Sequence, residues 1–440
     1  MAQGFRGTSR RRILGGGAAL AGGALAAACG AGGTETAPAK NAAPVSLRIT
    51  SWLAEPTSVE TYTKELFAPF KEVSPNTTLT QEAMAFGVYP DKIQAYAASG
   101  DMPDIIEVSY AWFPEWIKVG LLENLDPLTK RDKISAADYD KTVTGMGKWP
   151  YDKGPTYSWW TMMSAGCFYY NRSMFDREGQ KYPDDTWTWD TAVEVAKKMT
   201  KPGQQWGLQL ASYWEGVMYS FGAKILDDDN TKSLLDSPES IKAHQFWADL
   251  FLKHKVAPTS QDLKDAGVSG DAFIAGKVAM MLHSSYRIGQ ALRPMIKDFD
   301  WDIAPMPKGP AGRAALISGN PSHALSPTGK HKERAWEFLR WWIAKQNWRQ
   351  VVLPGNTPTR LAAAKEWVDE QKKQPPPKNI AYVLETTQTF GKRNVTGVRY
   401  AEWHDKIWPA AYNAINSGQA PVEQTLKEAT AQINRVLSGG

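Results

Sequence analysis

A strand followed by a helix is predicted for residues 45–73, which read VSLRITSWLAEPTSVETYTKELFAPFKEV. Residues 45–50 alternate apolar and polar side chains, and this period of two is typical of a half-buried strand. Thr57 and Glu60 have the spacing of a capping box, which predicts the start of a helix. Behind the box, apolar side chains recur at helical intervals: Tyr62, Leu66, Phe70 and Val73.

The same alternation of strand and helix continues along the chain. Residues 91–98 are predicted to form a helix that stops at Gly100, and residues 104–108, DIIEV, the next strand. The strongest amphipathic helix is predicted for residues 331–350. Its apolar stripe consists of Ala335, Phe338, Leu339, Trp342 and Ile343. This rhythm favours an α/β architecture.

Residues 1–28 have the features of an export signal. Three arginines, at 10–12, precede an uncharged, Gly- and Ala-rich stretch at 13–28 that is short for a bilayer span of about 20 residues. The run at 9–14, SRRRIL, resembles a twin-arginine signal. Residues 25–30, LAAACG, resemble the lipobox of bacterial lipoproteins, in which Cys29 receives the lipid. A retained anchor and an unmodified Cys29 are the alternatives.

Residues 29–44 are small and polar and contain Pro and Gly, so they are expected to form a flexible tether. With a lipid on Cys29, this tether would hold the folded part of the chain at the membrane surface.

Composition argues against several classes of function. Four of the 51 Lys and Arg residues precede residue 29, which leaves 47 against 46 Asp and Glu, or a net charge of +1. Such a chain lacks the concentrated positive charge that binding to nucleic-acid phosphates requires.

Cys29 and Cys167 cannot make a disulfide framework, and no His or Cys spacing indicates a metal site, so neither metal nor cofactor is expected. Cys167 is expected to be a small buried apolar residue. The 19 Trp exceed what the core needs.

Four segments, in this order along the chain, resemble the signatures of one protein family. They are 98–105 (ASGDMPDI) with 120–128 (GLLENLDPL), 168–175 (FYYNRSMF) with 182–183 and 188–190, 272–281 (AFIAGKVAMM), and 423–429 (EQTLKEA) with Asn434. The family is that of the extracellular solute-binding proteins of ABC importers, in the sugar-binding group that includes maltose-binding proteins. The run HSSYR at 283–287 departs from its pattern, because a Gly is missing and the aromatic residue is Tyr286.

The resemblance implies a two-lobed periplasmic-binding-protein fold of type II. Its two α/β lobes would be discontinuous, joined by crossover strands, and would enclose a ligand by hinge closure. On that template the N-terminal lobe holds residues 45–165 and 278–320, and the C-terminal lobe holds residues 166–277 and 321–440.

Trp and Tyr on loops at the carboxyl ends of strands are what a sugar cleft needs, because rings cover the apolar faces of a sugar and polar side chains bind its hydroxyls. Tyr169 and Tyr170 are instead read as packing residues, and His283 and His323 as polar or satisfied core residues. The candidate ligand-binding residues are Trp52, Glu55, Tyr110, Trp112, Trp160, Tyr213, Trp214, Glu215, Tyr286, Gly319, Asn320 and Arg360.

We therefore expect a monomeric, extracytoplasmic protein that captures a neutral mono- or oligosaccharide and delivers it to an ABC permease. One alternative keeps the fold and binds an anionic polyol phosphate through clustered basic groups. The other is a secreted glycosidase, which would need two carboxylates facing each other across the scissile bond. Glu55, Glu107, Glu115 and Glu215 supply such groups, but no motif pairs them.

Overall fold

The structure is a computed structural model that describes residues 43–319, 321–345, 348–351, 355–394 and 396–439. The predicted export signal, Cys29, most of the tether and Asn320 lie outside these ranges. Within them, no helix has the length and apolar character that crossing a bilayer requires.

Strands in the described residues form two sheets. In chain order they are β1 Val45–Ser51, β2 Thr77–Ala83, β3 Ile105–Val108, β4 Trp159–Trp160, β5 Met162–Asn171, β6 Trp206–Leu210, β7 Val278–Ser284, β8 Trp301–Ala304, β9 Ala315–Ser318, β10 Ser322–Leu325, β11 Thr357–Pro358 and β12 Gly391–Arg393.

The first sheet has the order β2-β1-β3-β10-β4. β1 is parallel to β2, with Val45 opposite Thr77, and parallel to β3. β10 is antiparallel to both of its neighbours. The sheet is therefore completed by a strand that lies more than 200 residues beyond β3 in the chain.

The second sheet has the order β12-β9-β5-β7-β6, and β8 and β11 also pair with β5. β5 is its centre: all ten residues are buried, including Cys167, Tyr169 and Tyr170. The burial expected for these three side chains is confirmed, and it raises the pKa of the Cys167 thiol to about 12.

Helices cover both sheets. Those beside the first sheet are Pro56–Thr61, which continues through the π-helical Tyr62–Phe67 into Ala68–Val73, then Tyr89–Ser99, Phe113–Lys118, Asp126–Arg131, Lys141–Met146 and Lys332–Lys345. The other helices are Arg172–Arg177, Trp189–Met199, Glu215–Ser220, Pro238–Leu252, Ser260–Asp265, Ile288–Leu292 with Arg293–Met295, Leu361–Gln371, Ala381–Phe390, Tyr400–Glu402 with Trp403–Ile407, Trp408–Asn416 and Val422–Leu437. Short 3₁₀ turns occupy Phe86–Val88, Ala136–Asp138 and Trp348–Gln350.

The strongest sequence pattern is confirmed. The helix at Lys332–Lys345 buries all five residues of the predicted stripe and packs them into the core of the first sheet.

The first predicted helix begins at a different residue from the one expected. Pro56 occupies its first position and Glu55 its N-cap, so the predicted capping box at Thr57 does not form. Proline needs no N–H partner at that position and has a suitable φ angle, which explains the earlier start.

Strand pairing corrects the lobe boundaries. Residues 278–318 were expected in the N-terminal lobe, but β7, β8 and β9 all pair with β5 in the second sheet. Residues 321–345 were expected in the C-terminal lobe, but β10 and the helix that follows it belong to the first sheet and its core. We call residues 45–160 with 322–345 the first lobe, and residues 162–318 with 348–439 the second lobe.

Candidate functional site

An aromatic cluster covers the carboxyl ends of the first three strands of the first lobe. Trp112, half-buried, stacks on Tyr89 at 5.7 Å and on Trp116 at 5.3 Å between ring centroids. Phe86 lies 4.9 Å from Trp112 and remains 49% exposed. Trp52 is only 7% exposed, and its ring makes edge-on contacts with the rings of Phe86 and Trp112. Phe86 and Trp112 thus form an accessible ring surface, which we call the aromatic platform.

The predicted Tyr110 lies where the two lobes meet. Its ring contacts Tyr400 of the second lobe edge-on, with centroids 5.9 Å apart. The Thr396 hydroxyl, also in the second lobe, donates a hydrogen bond of 3.1 Å to the Tyr110 carbonyl oxygen. The loop after β3 is therefore held against the second lobe.

Four residues, which we call the latch, connect the lobes beside Tyr110. They are Tyr151 and Asp152 of the first lobe and Arg393 and Thr396 of the second. The Tyr151 and Thr396 hydroxyls are 2.5 Å apart, and the Arg393 Nε donates to an Asp152 carboxylate oxygen at 3.0 Å. The Arg393 guanidinium also lies 4.7 Å from the centre of the Tyr151 ring. Sequence reasoning missed the latch, because no pattern in either segment indicates its partner.

Glu215 is buried beside this junction, with only 7% of its surface exposed. Burial raises the pKa of its carboxyl group to about 7. Burial raises the pKa values of Tyr110, Tyr219 and Tyr400, and the charge of Glu215 raises them further, so these phenols lie within its electrostatic reach.

Tyr213 and Tyr286 belong to the same neighbourhood. Tyr110 and Tyr286 both raise the pKa of Tyr213, after the larger effect of burial. Tyr213 has a positive φ of 61°, a conformation that costs a residue with a side chain and often occurs at functional sites. The central cluster, as we call it, consists of Tyr110, Tyr213, Glu215, Tyr286 and Tyr400. Four of these five were predicted from the sequence. Tyr400 was missed, because it is the first residue of a helix and not part of a loop that follows a strand.

Trp160 and Gly319 meet at the crossovers between the lobes. Trp160 is 2% exposed, and a Cβ atom on Gly319 would lie 2.6 Å from its ring. Its carbonyl oxygen accepts a 2.7 Å hydrogen bond from the Thr359 hydroxyl. Trp160 is therefore a packing residue of the crossover, contrary to the expectation that it covers a ligand.

Glu55 and Arg360 occupy helix starts. Glu55 is exposed at the N-cap of the helix that begins at Pro56. Arg360 is the N-cap residue of Leu361–Gln371. Burial raises the pKa of Tyr139 in the first lobe to about 12, and the charge of Arg360 opposes part of that rise.

Trp214 also differs from its expected role as a loop residue. Its ring stacks on Trp408 at 4.8 Å and 19°, beside the buried His244. It packs against three core clusters of the second lobe. One face of the Trp214 ring is therefore covered by other side chains of the protein.

We expect Trp214→Ala to lower the free energy of unfolding by about 2 to 3 kcal/mol, since large aromatic truncations in cores cost 3–5 kcal/mol and this ring is half-buried. Urea unfolding measures the change, and Trp367→Phe serves as a control that keeps a buried ring. An unchanged unfolding curve with lost ligand affinity would contradict the packing role.

A buried polar network lies beneath the aromatic platform. Glu107 has no exposed surface; Tyr62 donates to its Oε1, and the Trp52 backbone N–H donates to Oε2 at 2.9 Å. The His323 Nε2 lies 2.9 Å from the Tyr62 hydroxyl, and its Nδ1 lies 3.4 Å from the hydroxyl of Thr161, the residue between β4 and β5. The expectation that His323 is a satisfied core residue is confirmed. Among the residues described, no group of three or more His, Cys, Asp or Glu side chains is placed to hold a metal ion.

Comparisons with known proteins support this fold. Residues 54–347 match the family described as bacterial extracellular solute-binding protein. A lipoprotein of Streptomyces antibioticus is 24% identical, over 88% of this chain and 86% of its own length. Two solved structures share the fold. The substrate-binding protein Lmo0181 of Listeria monocytogenes, in complex with cycloalternan, has a TM-score of 0.74 at 23% identity and covers 90% of this chain and 99% of its own. The cyclic α-maltosyl-1,6-maltose binding protein of Arthrobacter globiformis has a TM-score of 0.76 at 18% identity and covers 90% and 100%.

Proposed function

The chain belongs to the family of bacterial extracellular solute-binding proteins, and on that premise we propose that it captures a carbohydrate outside the cytoplasmic membrane and delivers it to an ABC permease. The observation that carries the proposal is the central cluster, where tyrosine rings of both lobes meet within the electrostatic reach of the buried Glu215. The aromatic platform of the first lobe adds an accessible ring surface. Aromatic rings pack on the apolar faces of a sugar, and hydroxyl and carboxyl oxygens form hydrogen bonds with its hydroxyl groups. The two solved relatives are named for oligosaccharide ligands, which supports this class.

Closure of the lobes on the ligand is the proposed mechanism. The latch and the contact between Tyr110 and Tyr400 join the lobes in the present arrangement. A ligand that touches both lobes adds to these contacts and so shifts the equilibrium towards the closed form.

Calorimetric titration of the mature protein against mono- and oligosaccharides, with small-angle scattering of the free and bound forms, tests the proposal. We expect binding near micromolar, about −8 kcal/mol, with a smaller radius of gyration in the complex. Binding of a peptide or an anion, with no saccharide bound, would contradict the proposed ligand class.

The two alternative functions have less support. An anionic polyol phosphate calls for clustered basic side chains, but Arg287 is paired with Asp271 and Arg293 with Gln371. The central cluster carries a carboxylate instead. A glycosidase needs two accessible carboxylates, and Glu107 is fully buried in the first lobe.

We further propose that lipid on Cys29 anchors the protein to the membrane. The lipobox-like run at 25–30 and the lipoprotein relative support this. Cys29→Ser should abolish incorporation of labelled fatty acid and release the protein from the membrane fraction. Equal labelling of variant and wild type would refute the anchor.

A further inference from the structure

A cavity of about 470 Å³ lies in the second lobe, between Tyr219, the loop at 222–230, the residues at 311–314 that precede β9, and β12. Its volume falls in the range of about 300 to 1,000 Å³ that small-molecule sites occupy. Of the described residues that line it, none belongs to the central cluster or to the aromatic platform. The cavity is therefore separate from the site that we propose for the carbohydrate.

Basic side chains outnumber acidic ones in the wall of this cavity. The basic ones are Lys224, Arg313, Lys392 and Arg393, and the acidic ones are Asp227 and Asp228. Asp228 accepts a hydrogen bond of 2.8 Å from Lys224. Asp227 accepts from the backbone N–H groups of Thr231 and Lys232, at 2.7 and 3.1 Å. Both carboxylates are thus engaged within the protein, and the cavity keeps an excess of positive charge.

Arg393 is held in position while part of its guanidinium stays unengaged. Its Nε donates to Asp152 at 3.0 Å, and its guanidinium lies 4.7 Å from the centre of the Tyr151 ring. Among the described residues, no hydrogen-bond acceptor engages its two Nη atoms. A guanidinium presents its donors in a fixed fork that matches a carboxylate or a phosphate, and a side chain that is already held loses less freedom on binding.

Arg313 approaches the cavity from a second, equally fixed position. Its Nε donates to the Met306 carbonyl oxygen at 2.8 Å, and its Nη2 lies 3.3 Å from an Asp185 carboxylate oxygen. Two arginines of the cavity wall are therefore oriented by the protein before any ligand arrives.

Asn230, in the wall of the same cavity, has an amide without partners. Only 4% of the residue is exposed, yet neither its side-chain nitrogen nor its side-chain oxygen makes a hydrogen bond. The Tyr219 hydroxyl, also in the wall, has no partner either. Buried polar groups are normally paired, so these two side chains indicate that a partner is missing from this part of the fold. Both can donate to an anionic oxygen.

From these observations we infer that the cavity binds a small solute that carries a carboxylate or a phosphate group. This second site goes beyond the proposed function and does not depend on it. The anionic oxygens would accept hydrogen bonds from the Nη atoms of Arg393 and from the lysines of the wall. Because Arg393 also pairs with Asp152 of the first lobe, the anion and the latch share one guanidinium. The anion would repel the Asp152 carboxylate and so weaken the latch.

Calorimetric titration with two anions tests the site. Citrate represents the carboxylates and inorganic phosphate the phosphates, both at pH 7.5 in 0.15 M NaCl, with glycerol as the neutral control. We expect at least one anion to bind in a ratio of one to one, with a Kd of about 1 mM or below, and glycerol not to bind. If neither anion binds, the inference fails. The saccharide titrations decide the proposed function separately, so each can fail while the other stands.

Arg393→Gln should lower the affinity for the anion about tenfold, since it removes the unengaged donors. Arg177→Gln is the matched control, because this exposed arginine of the same lobe pairs with Glu178, and affinity should stay within about twofold. Thermal melts establish that the variants fold. If Arg393→Gln does not, the exposed Lys224→Gln decides, with an expected fall of about threefold. Unchanged affinity in the folded variant, or an equal loss in the control, would overturn the inference.

Asp152→Asn tests whether the anion and the latch share Arg393. Removing the carboxylate beside this guanidinium should raise the affinity for the anion about threefold or more. Glu60→Gln makes the same change in net charge at an exposed pair with Lys64 and should leave the affinity within about 1.5-fold. An affinity that does not rise in Asp152→Asn, or rises equally in both variants, would contradict the shared guanidinium.

Discussion

Glu107→Ala should lower the free energy of unfolding by about 3 to 5 kcal/mol, because it removes the acceptor at the centre of a fully buried network. The Trp52 N–H would lose its acceptor without gaining access to water, and the Tyr62 hydroxyl would keep only His323 Nε2 as a partner. Each buried donor left without an acceptor costs about 1 to 3 kcal/mol, and the cavity adds to the loss.

Urea unfolding followed by far-ultraviolet circular dichroism measures this change. The control is Glu60→Ala in the same lobe, where an exposed carboxylate pairs only with Lys64 one turn away, so a change within about 0.5 kcal/mol is expected. If Glu107→Ala unfolds within 1 kcal/mol of the wild type, the network is not a major source of stability.

Trp112→Ala should reduce both stability and affinity. Its ring contacts Trp52, Phe86, Tyr89 and Trp116, so its loss leaves a cavity in the aromatic cluster and should cost about 3 to 4 kcal/mol. If the aromatic platform binds the face of a sugar, affinity should also fall by about 30- to 100-fold.

Phe86→Ala separates the two effects, because this ring is 49% exposed. It should reduce affinity by about tenfold while changing the free energy of unfolding by less than about 1 kcal/mol. Calorimetric titration and urea unfolding of both variants provide the measurements. Unchanged affinity in Phe86→Ala would show that the ligand does not use the platform.

Local patterns predicted much of the fold. The stripe in Lys332–Lys345 and the alternation in β1 depend on which side of one element is apolar, and the structure buries the expected sides. The lobe bounds taken from the family resemblance placed residues 278–320 and 321–440 differently, because the local sequence of a strand does not say which sheet it joins. Which sheet it joins depends on contacts with segments more than 100 residues away.

The prediction of candidate site residues was limited in the same way, because their roles depend on contacts with distant segments. Trp112 and Trp214 both follow strands, yet one borders an exposed ring and the other stacks on Trp408. The partner ring decides the role, and it comes from a distant segment in each case. Phe86 could have been found from its place next to Gly87, just after the alternating residues that form β2, whereas Arg393 offers no such signal.

The position of β10 constrains the order in which the protein can be completed during synthesis. β10 lies between β3 and β4, so residues 45–160 alone contain an edge strand, β4, without its neighbour in the sheet. The helix Lys332–Lys345, which supplies much of the core of this lobe, leaves the ribosome later still. The half of the molecule that begins at the amino terminus therefore cannot finish folding until about three quarters of the polypeptide has been made, and its exposed strand edges need protection until then.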